Sequence, residues 1–476
     1  MKHVKQLLSA LLVLAVVLSL LPAGVLKASA TEAPAALDIG YPTFKNTELL
    51  DEVYDLSKLG VSYSEKDIMM AIYKQDLANG GDSFYMDRIL AREGVCNGNA
   101  GSNGNADGNT FLTRGRALYM YTSSPSVIGF GGNTAYHQPL GRGNLVRVLF
   151  SNADGSLTTK EDTSKRVNAP SNWSSTYSVG SNLTLDVVKF IHQENVAVTT
   201  MTLKNNTEEE QNVTVAADSG FATEPGKVTV NGAEQTELTG TCSSPAGLTT
   251  IYARMTGNGF EAASSDSYCW LTRDVTVPAG GSVELKVVIA FTTEEIPEST
   301  EQYLRFAGLG NLEAVRAQKA EYNLYWAENL PYIDVPKKAV QKAIDYRWWL
   351  ERFNSLDANI PGYDYQYPVT IEGVLGYNNA IILTQPMHLQ DTKWLRSPYL
   401  AYGQLLSAGN SSQSSAFLDN PGNRNNWNNH YGQYLAEAGY EAFNVIGGGA
   451  EVAENFAYYF GHDATGQLEH YGNHIE

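Results

Sequence analysis

One acidic residue stands out for its setting: Glu372, between Ile371 and Gly373 in the stretch Arg352–Gly409 (RFNSLDANIPGYDYQYPVTIEGVLGYNNAIILTQPMHLQDTKWLRSPYLAYGQLLSAG). The surrounding Trp, Tyr, Asn, His and carboxylate side chains are what a sugar pocket needs, since aromatic faces stack on C–H surfaces and amides or carboxylates bond hydroxyls. A Tyr-rich loop flanked by proline (Tyr363, Tyr365, Tyr367, Pro368) precedes Glu372. Such a loop cannot continue a helix, so Glu372 is expected to face a cleft. Glycoside hydrolysis needs two carboxyl groups across the scissile bond, one to protonate the leaving oxygen and one to act as base or nucleophile. Glu372 is the candidate for one of them. The alternative is a glutamate that only caps the amides of the next helix.

The neighbouring residues carry similar double readings. His388, Asp391 and Trp394 are spaced by three, which puts them on one side of a helix. They form either a sugar-binding His and Asp beside a stacking Trp, or a buried His held by its own Asp as a strut. A metal half-site at His388 and Asp391 lacks a third ligand. Trp348 and Trp349 suit a stacking platform or, at the end of an amphipathic helix, the core. Trp427 sits among five Asn in Asn423–Tyr431 (NRNNWNNHY), which suits a hydroxyl-rich ligand or a hydrogen-bonded loop.

The elements that must position these residues fall into two blocks. Residues 1–30 have a charged start (Lys2, Lys5), an apolar run from Leu7 to Leu26 and a small-residue site at Ala28–Ala30, the pattern of a secretory signal of Gram-positive type; Pro22 and Gly24 argue against a membrane anchor. A helix is expected at Ser64–Asn79, and an Asn/Gly-rich loop at Asn97–Asn109 that lacks the second carboxylate a calcium site would need. Alternating runs then predict strands at Ala117–Thr122, Asn144–Phe150, Leu183–Ile191, Val196–Leu203, Asn212–Ala217, Lys227–Val230 and Ser282–Phe291, with Val196–Leu203 and Val213–Ala216 read as a hairpin. Strands of this length with regular turn signals indicate a β-sandwich over 31–298.

Composition changes near Glu295–Ser299. Helices are expected at Asn311–Trp326, Val335–Phe353, Pro398–Leu406, Tyr431–Ile446 and Ala450–Phe460, with Gly409, Gly447 and Gly461 as C-terminal caps. The first of these serves as a linker helix within 299–330, and 331–476 reads as all-helical.

The net charge of −18 over 476 residues excludes nucleic acid and anionic membrane surfaces as partners and favours a neutral ligand. The three cysteines, Cys96, Cys242 and Cys269, have no metal spacing; Cys242 could pair with Cys269, or all could be free buried thiols. No cofactor motif is present.

A β-sandwich, a linker helix and then helices joined by aromatic, acidic loops resembles the (α/α)6 six-hairpin glycoside hydrolases. Within that group, Tyr367–Pro398 (YPVTIEGVLGYNNAIILTQPMHLQDTKWLRSP), Tyr402–Gly409 (YGQLLSAG) and Gly461–Gly472 (GHDATGQLEHYG) are most similar to the bacterial β-L-arabinobiosidases of glycoside hydrolase family 121, with IEGVLGYNN the specific part. The resemblance implies a secreted enzyme acting on β-L-arabinofuranosyl chains of hydroxyproline-rich plant glycoproteins. It makes Glu372 the acidic residue of a pocket that Tyr377, Asn378, His388 and Asp391 would line. The helices after the linker are too few to close such a barrel. The chain is therefore expected to be the N-terminal portion of a longer protein, little active alone, with Val452, Phe456 and Phe460 left open to water. A non-catalytic secreted carbohydrate-binding protein is the competing class. A polysaccharide lyase ranks last, because the loops lack the basic residues that would neutralise a uronate.

Overall fold

In the computed structural model, the described residues are 34–42, 115–121, 127–131, 133–136, 138–139, 144–168, 171–243, 247–266, 268–331, 336–360, 366–371, 384–411 and 434–471. The signal segment, the expected helix Ser64–Asn79, the loop Asn97–Asn109 and Cys96 lie outside them.

Two antiparallel sheets face each other. The larger runs β12 (Glu224–Val230), β13 (Ala233–Ser243), β14 (Thr250–Gly257), β17 (Ser282–Thr292), β10 (Val196–Asn205), β9 (Leu183–His192), β8 (Trp173–Val179) and β7 (Thr159–Asn168). The smaller runs β15 (Glu261–Ser265), β16 (Tyr268–Val277), β11 (Gln211–Asp218), β5 (Val146–Asn152) and β2 (Gly129–Phe130), with β6 (Gly155–Ser156) paired to β5. Inward residues of both, such as Leu185, Val187, Met201, Val215, Phe150, Leu271 and Ile289, form the main core. A small sheet of β1 (Leu118–Tyr121), β3 (Asn133–Tyr136) and β4 (Gln138–Pro139) adjoins them.

The expected hairpin Val196–Leu203/Val213–Ala216 does not form. β10 pairs with β9 and β17, whereas β11 pairs with β5 and β16 in the other sheet. The connection is an arch between sheets, held by Asn205, whose Nδ2 donates to the carbonyls of Glu209 (2.7 Å) and Val277 (3.1 Å) while its Oδ1 accepts from the Thr207 amide (3.0 Å). An Asn at a strand end can bond the backbone on either side of a gap, and no local pattern distinguishes that from a tight turn.

Cys242 and Cys269 are both buried and no disulfide joins them to each other, so the paired alternative does not hold.

Helices α1 (Glu298–Gly308) and α2 (Asn311–Asn329) follow, two where one linker helix was expected. They cover the outer face of the larger sheet: Tyr303, Phe306 and Ala314 pack on Phe190, Val198, Val230 and Val288. This explains why β10 and β17 are buried along most of their length, Thr199 and Thr200 included, since both faces of the sheet are covered. The joint is fixed by Glu321 on α2, which contacts His192 Nε2 at 2.7 Å and pairs with Arg305 of α1. Burial raises the Glu321 pKa, but the hydrogen bond and charge of His192 and the charge of Arg305 outweigh it and leave the carboxyl below its ordinary value of 4.5. A lowered carboxyl pKa adds stability above the unfolded pKa, and that stability is lost as pH falls through the folded one. Glu321→Gln should therefore lower the melting temperature at pH 7, with the difference from the parent shrinking once pH drops below 4.5. A pH-independent difference in thermal melts would show that its charge does not matter.

The remaining helices are α3 (Lys338–Asn354), α4 (Gln385–Thr392), α5 (Tyr399–Ser411), α6 (Leu435–Ile446) and α7 (Ala450–Tyr471). The region is not all-helical: β18 (Ser355–Leu356) and β19 (Val369–Thr370) pair between α3 and α4. Gly447 caps α6 as expected, with φ of 80° and its amide bonded to the Phe443 carbonyl at 2.8 Å. Gly409 and Gly461 are not caps but lie inside α5 and α7. A Cβ on Gly409 would come within 2.3 Å of Tyr459 Cγ, so this glycine permits α5 and α7 to pack closely. The apolar stripe of α7 is not open to water either. Phe456 is buried with its ring edge-on to Tyr402, and Val452 and Phe460 pack against the same helical core.

Candidate functional site

Glu372, Tyr377, Asn378 and Trp427 lie outside the described residues. What the structure gives is the two roots of the segment that carries the first three. At one root, Ile371 is fully buried and its amide donates to the Asn354 carbonyl at 2.9 Å. At the other root, Thr384 precedes α4, whose first turn holds Pro386, a residue suited to a position without an amide partner.

A buried polar network joins the two roots. Thr370 Oγ1 donates to Glu351 Oε2 at 2.8 Å, and the other Glu351 oxygen meets His388 Nδ1 at 2.8 Å. Gln385 Nε2 donates to the Thr370 carbonyl at 3.2 Å. Glu351 is 5% exposed and Gln385 1%. A carboxylate this buried persists because it is hydrogen-bonded on both oxygens. The partner of His388 is thus Glu351 of α3, not Asp391, which corrects the expected His–Asp strut.

Asp391 is held elsewhere. Arg347 grips it with two hydrogen bonds, the one from Nε at 3.2 Å, and Trp348 Nε1 donates to the Asp391 carbonyl at 3.2 Å. Asp391 therefore ties α4 to α3 rather than pointing free into a pocket. Trp394 is 53% exposed, while Trp348 and Trp349 are core residues at 5% and 0%.

A second cluster joins the sandwich to the helices. Arg116, 7% exposed, bonds Asp357 Oδ2 at 2.8 Å and Glu194 Oε2 at 3.3 Å, and its guanidinium lies 3.9 Å from the Tyr41 ring centroid. Tyr41 donates to Glu194 and Tyr399 to Asp357, each at 2.7 Å. Burial, then the adjoining negative charge, pushes both phenols far above their ordinary pKa, so both remain donors. Arg116 is delivered by the tip of the β9–β10 hairpin, where Asn195, at φ 60°, accepts the amides of Ala117 and Leu118 at 2.9 Å.

Two hollows flank this cluster. The one toward His192, Glu321 and Arg352 measures about 110 Å³, below the roughly 300 Å³ at which ligand pockets begin. The other, about 280 Å³, is walled by Asp38, Asn359, Gln366, Tyr367 and Tyr399, a mix of amide, carboxylate and aromatic groups. Among the described residues, no group of three His, Cys, Asp or Glu could hold a metal ion, and no helix is long and apolar enough to cross a membrane.

Glu351, Arg116 and Asp357 escaped the sequence reading. Glu351 lies 37 positions from His388, and Asp357 lies 241 from Arg116, so only the folded chain brings them together.

No family model matches the chain. Among solved structures, it is similar to a protein described as a kojibiose phosphorylase from the human microbiome (8% identity, TM-score 0.45, covering 63% of this chain and 46% of that one). It is also similar to a family GH92 inverting mannosidase from Bacteroides thetaiotaomicron (12% identity, TM-score 0.44, 78% and 54%). A third is a bacterial glucoamylase complexed with acarbose (9% identity, TM-score 0.37, 73% and 57%). The chain spans about half the length of these structures. At such TM-scores, neither family nor substrate passes from these proteins to this chain.

Proposed function

We propose that the chain belongs to a secreted glycoside hydrolase in which Glu372 takes part in proton transfer at the scissile bond. Tyr377, Asn378, His388 and Trp427 contribute to the pocket. One observation carries this reading: the buried Thr370–Glu351–His388 network and the Gln385–Thr370 bond fasten both roots of the Glu372 segment to α3 and α4. A loop that presents a reacting carboxyl needs rigid roots, because catalytic geometry tolerates displacements well under an ångström. Asp391 enters only as the Arg347-bound tie that holds α4.

The substrate class we propose is β-L-arabinofuranosyl oligosaccharide on hydroxyproline-rich glycoprotein, supported by the IEGVLGYNN segment (Ile371–Asn379) and by a net charge of −18, which suits a neutral glycan. The test is sugar release by the whole gene product from arabinosylated hydroxyproline peptides, with glucosides and mannosides as controls. Release from the arabinosylated peptides alone is the expected result. Cleavage of glucosides or mannosides only would retire the substrate and keep the hydrolase. No cleavage of any of them would favour a non-catalytic carbohydrate-binding protein.

A further inference from the structure

The outward face of the six-stranded sheet carries side chains that the catalytic reading does not use. Along β16, Tyr268, Trp270, Thr272 and Asp274 alternate with the buried Cys269, Leu271 and Val275. Helices α1 and α2 cover the other sheet, and Tyr268 remains 38% exposed.

This face is built and held. The Tyr268 and Trp270 rings are near-parallel, with planes 27° apart and centroids at 5.6 Å. Their cross-strand neighbours on β15 are Ser265 and Ala263, too small to cover a ring. The Tyr268 hydroxyl lies near the Asp218 carboxylate and the Arg147 guanidinium, which grip each other at 3.2 Å (Nε to Oδ1) and 2.6 Å (Nη2 to Oδ2). Burial and Asp218 push that phenol up to about 12, so it stays protonated in ordinary buffers. A ring stacked on its neighbour loses little side-chain entropy on binding. Further along the same strand, Asp274 Oδ1 accepts from Thr214 Oγ1 at 2.6 Å, leaving the second carboxylate oxygen of Asp274 to accept from a ligand.

These features select one class of ligand. A protein partner needs a broad apolar patch at the centre of its interface, whereas here the two rings, and Leu149 on β5 at 47% exposure, stand among hydroxyls and charges. Asp218, Asp274 and Glu261 outnumber Arg147 on this face, so a polyanion is repelled. Ring faces stack on sugar C–H surfaces, and the flanking carboxylates and hydroxyls match sugar hydroxyls. We propose that the outward face of the six-stranded sheet, centred on Tyr268 and Trp270, binds a segment of a neutral polysaccharide. The site is independent of Glu372 and would hold a polymer whether or not the protein cleaves it.

The experiment is affinity electrophoresis of the full chain in gels cast with soluble arabinan, arabinogalactan, xyloglucan or mixed-linkage glucan, with polygalacturonate as the anionic control. Expected are retardation by at least one neutral polymer, none by polygalacturonate, and a loss of about tenfold or more in affinity for Trp270→Ala, the effect of removing a central aromatic contact. Ala263→Arg keeps both rings but lays a long side chain beside them, and should give the same loss if Trp270→Ala fails to fold. Trp270→Ala and Ala263→Arg should leave sugar release from short oligosaccharides unchanged, which separates this site from the catalytic reading. Absence of retardation by all four neutral polymers, equal retardation of Ala263→Arg and the parent, or equal retardation by polygalacturonate would each overturn the proposal.

Discussion

Glu372→Gln is expected to lower kcat/KM on the cleaved glycan by about 10²–10⁴-fold, the range that a positioned proton-transfer group contributes. The substitution keeps the volume of the side chain and removes only its ability to give or take a proton. Its neighbour Ile371 is anchored by a buried side chain and by the bond to Asn354, neither of which involves the Glu372 carboxyl. The melting temperature should therefore stay within a degree or so of the parent, since an isosteric change that leaves the anchoring of Ile371 intact falls in the small-effect class. Steady-state kinetics on the substrate identified by sugar release, read beside thermal melts, separates the outcomes. An unchanged rate would assign Glu372 to capping the amides that follow it.

The second large effect is on stability. Arg116→Leu should cost about 3–5 kcal/mol, because removing one member of a buried charge cluster strands the others in a medium that solvates them poorly. The stranded groups are Glu194 and Asp357, with side chains 5% and 4% exposed. One comes from the sandwich and the other from the helical region, so the joint between the two should be the first part to open. Equilibrium urea unfolding measures the loss. Combining Arg116→Leu with Asp357→Asn should recover part of it, because one of the two unpaired charges is then gone. A loss below about 1 kcal/mol, the size found for exposed ion pairs, would mean that water reaches the cluster.

How much of this could be read from the chain depends on where the partners of each residue lie. Strands with one buried face, such as Val146–Asn152 and Leu183–His192, announce themselves by alternation. β7 (TKEDTSKRVN) does not, because it is an edge strand with few apolar side chains, and β8 hides its alternation behind Ser and Thr at half-buried positions. In the helices the apolar stripes were legible but their ends were not. Leu312 and Val340, apolar residues of these helices, are 56% and 45% exposed because they sit in the first turns of α2 and α3. Burial there is concentrated further along, at Tyr322, Trp326, Trp348 and Trp349. For the candidate site, His388 and Asp391 were correctly placed on one helix, yet their partners were not legible. Glu351 and Arg347 belong to a different helix, and nothing in the local spacing of either segment encodes that meeting.

The unbridged pair Cys242 and Cys269 sets how the sandwich matures. No bond joins Cys242 on β13 to Cys269 on β16, so packed side chains, not that bridge, bring these two strands of opposite sheets together. The meeting of β13 and β16 therefore requires no oxidation of Cys242 with Cys269.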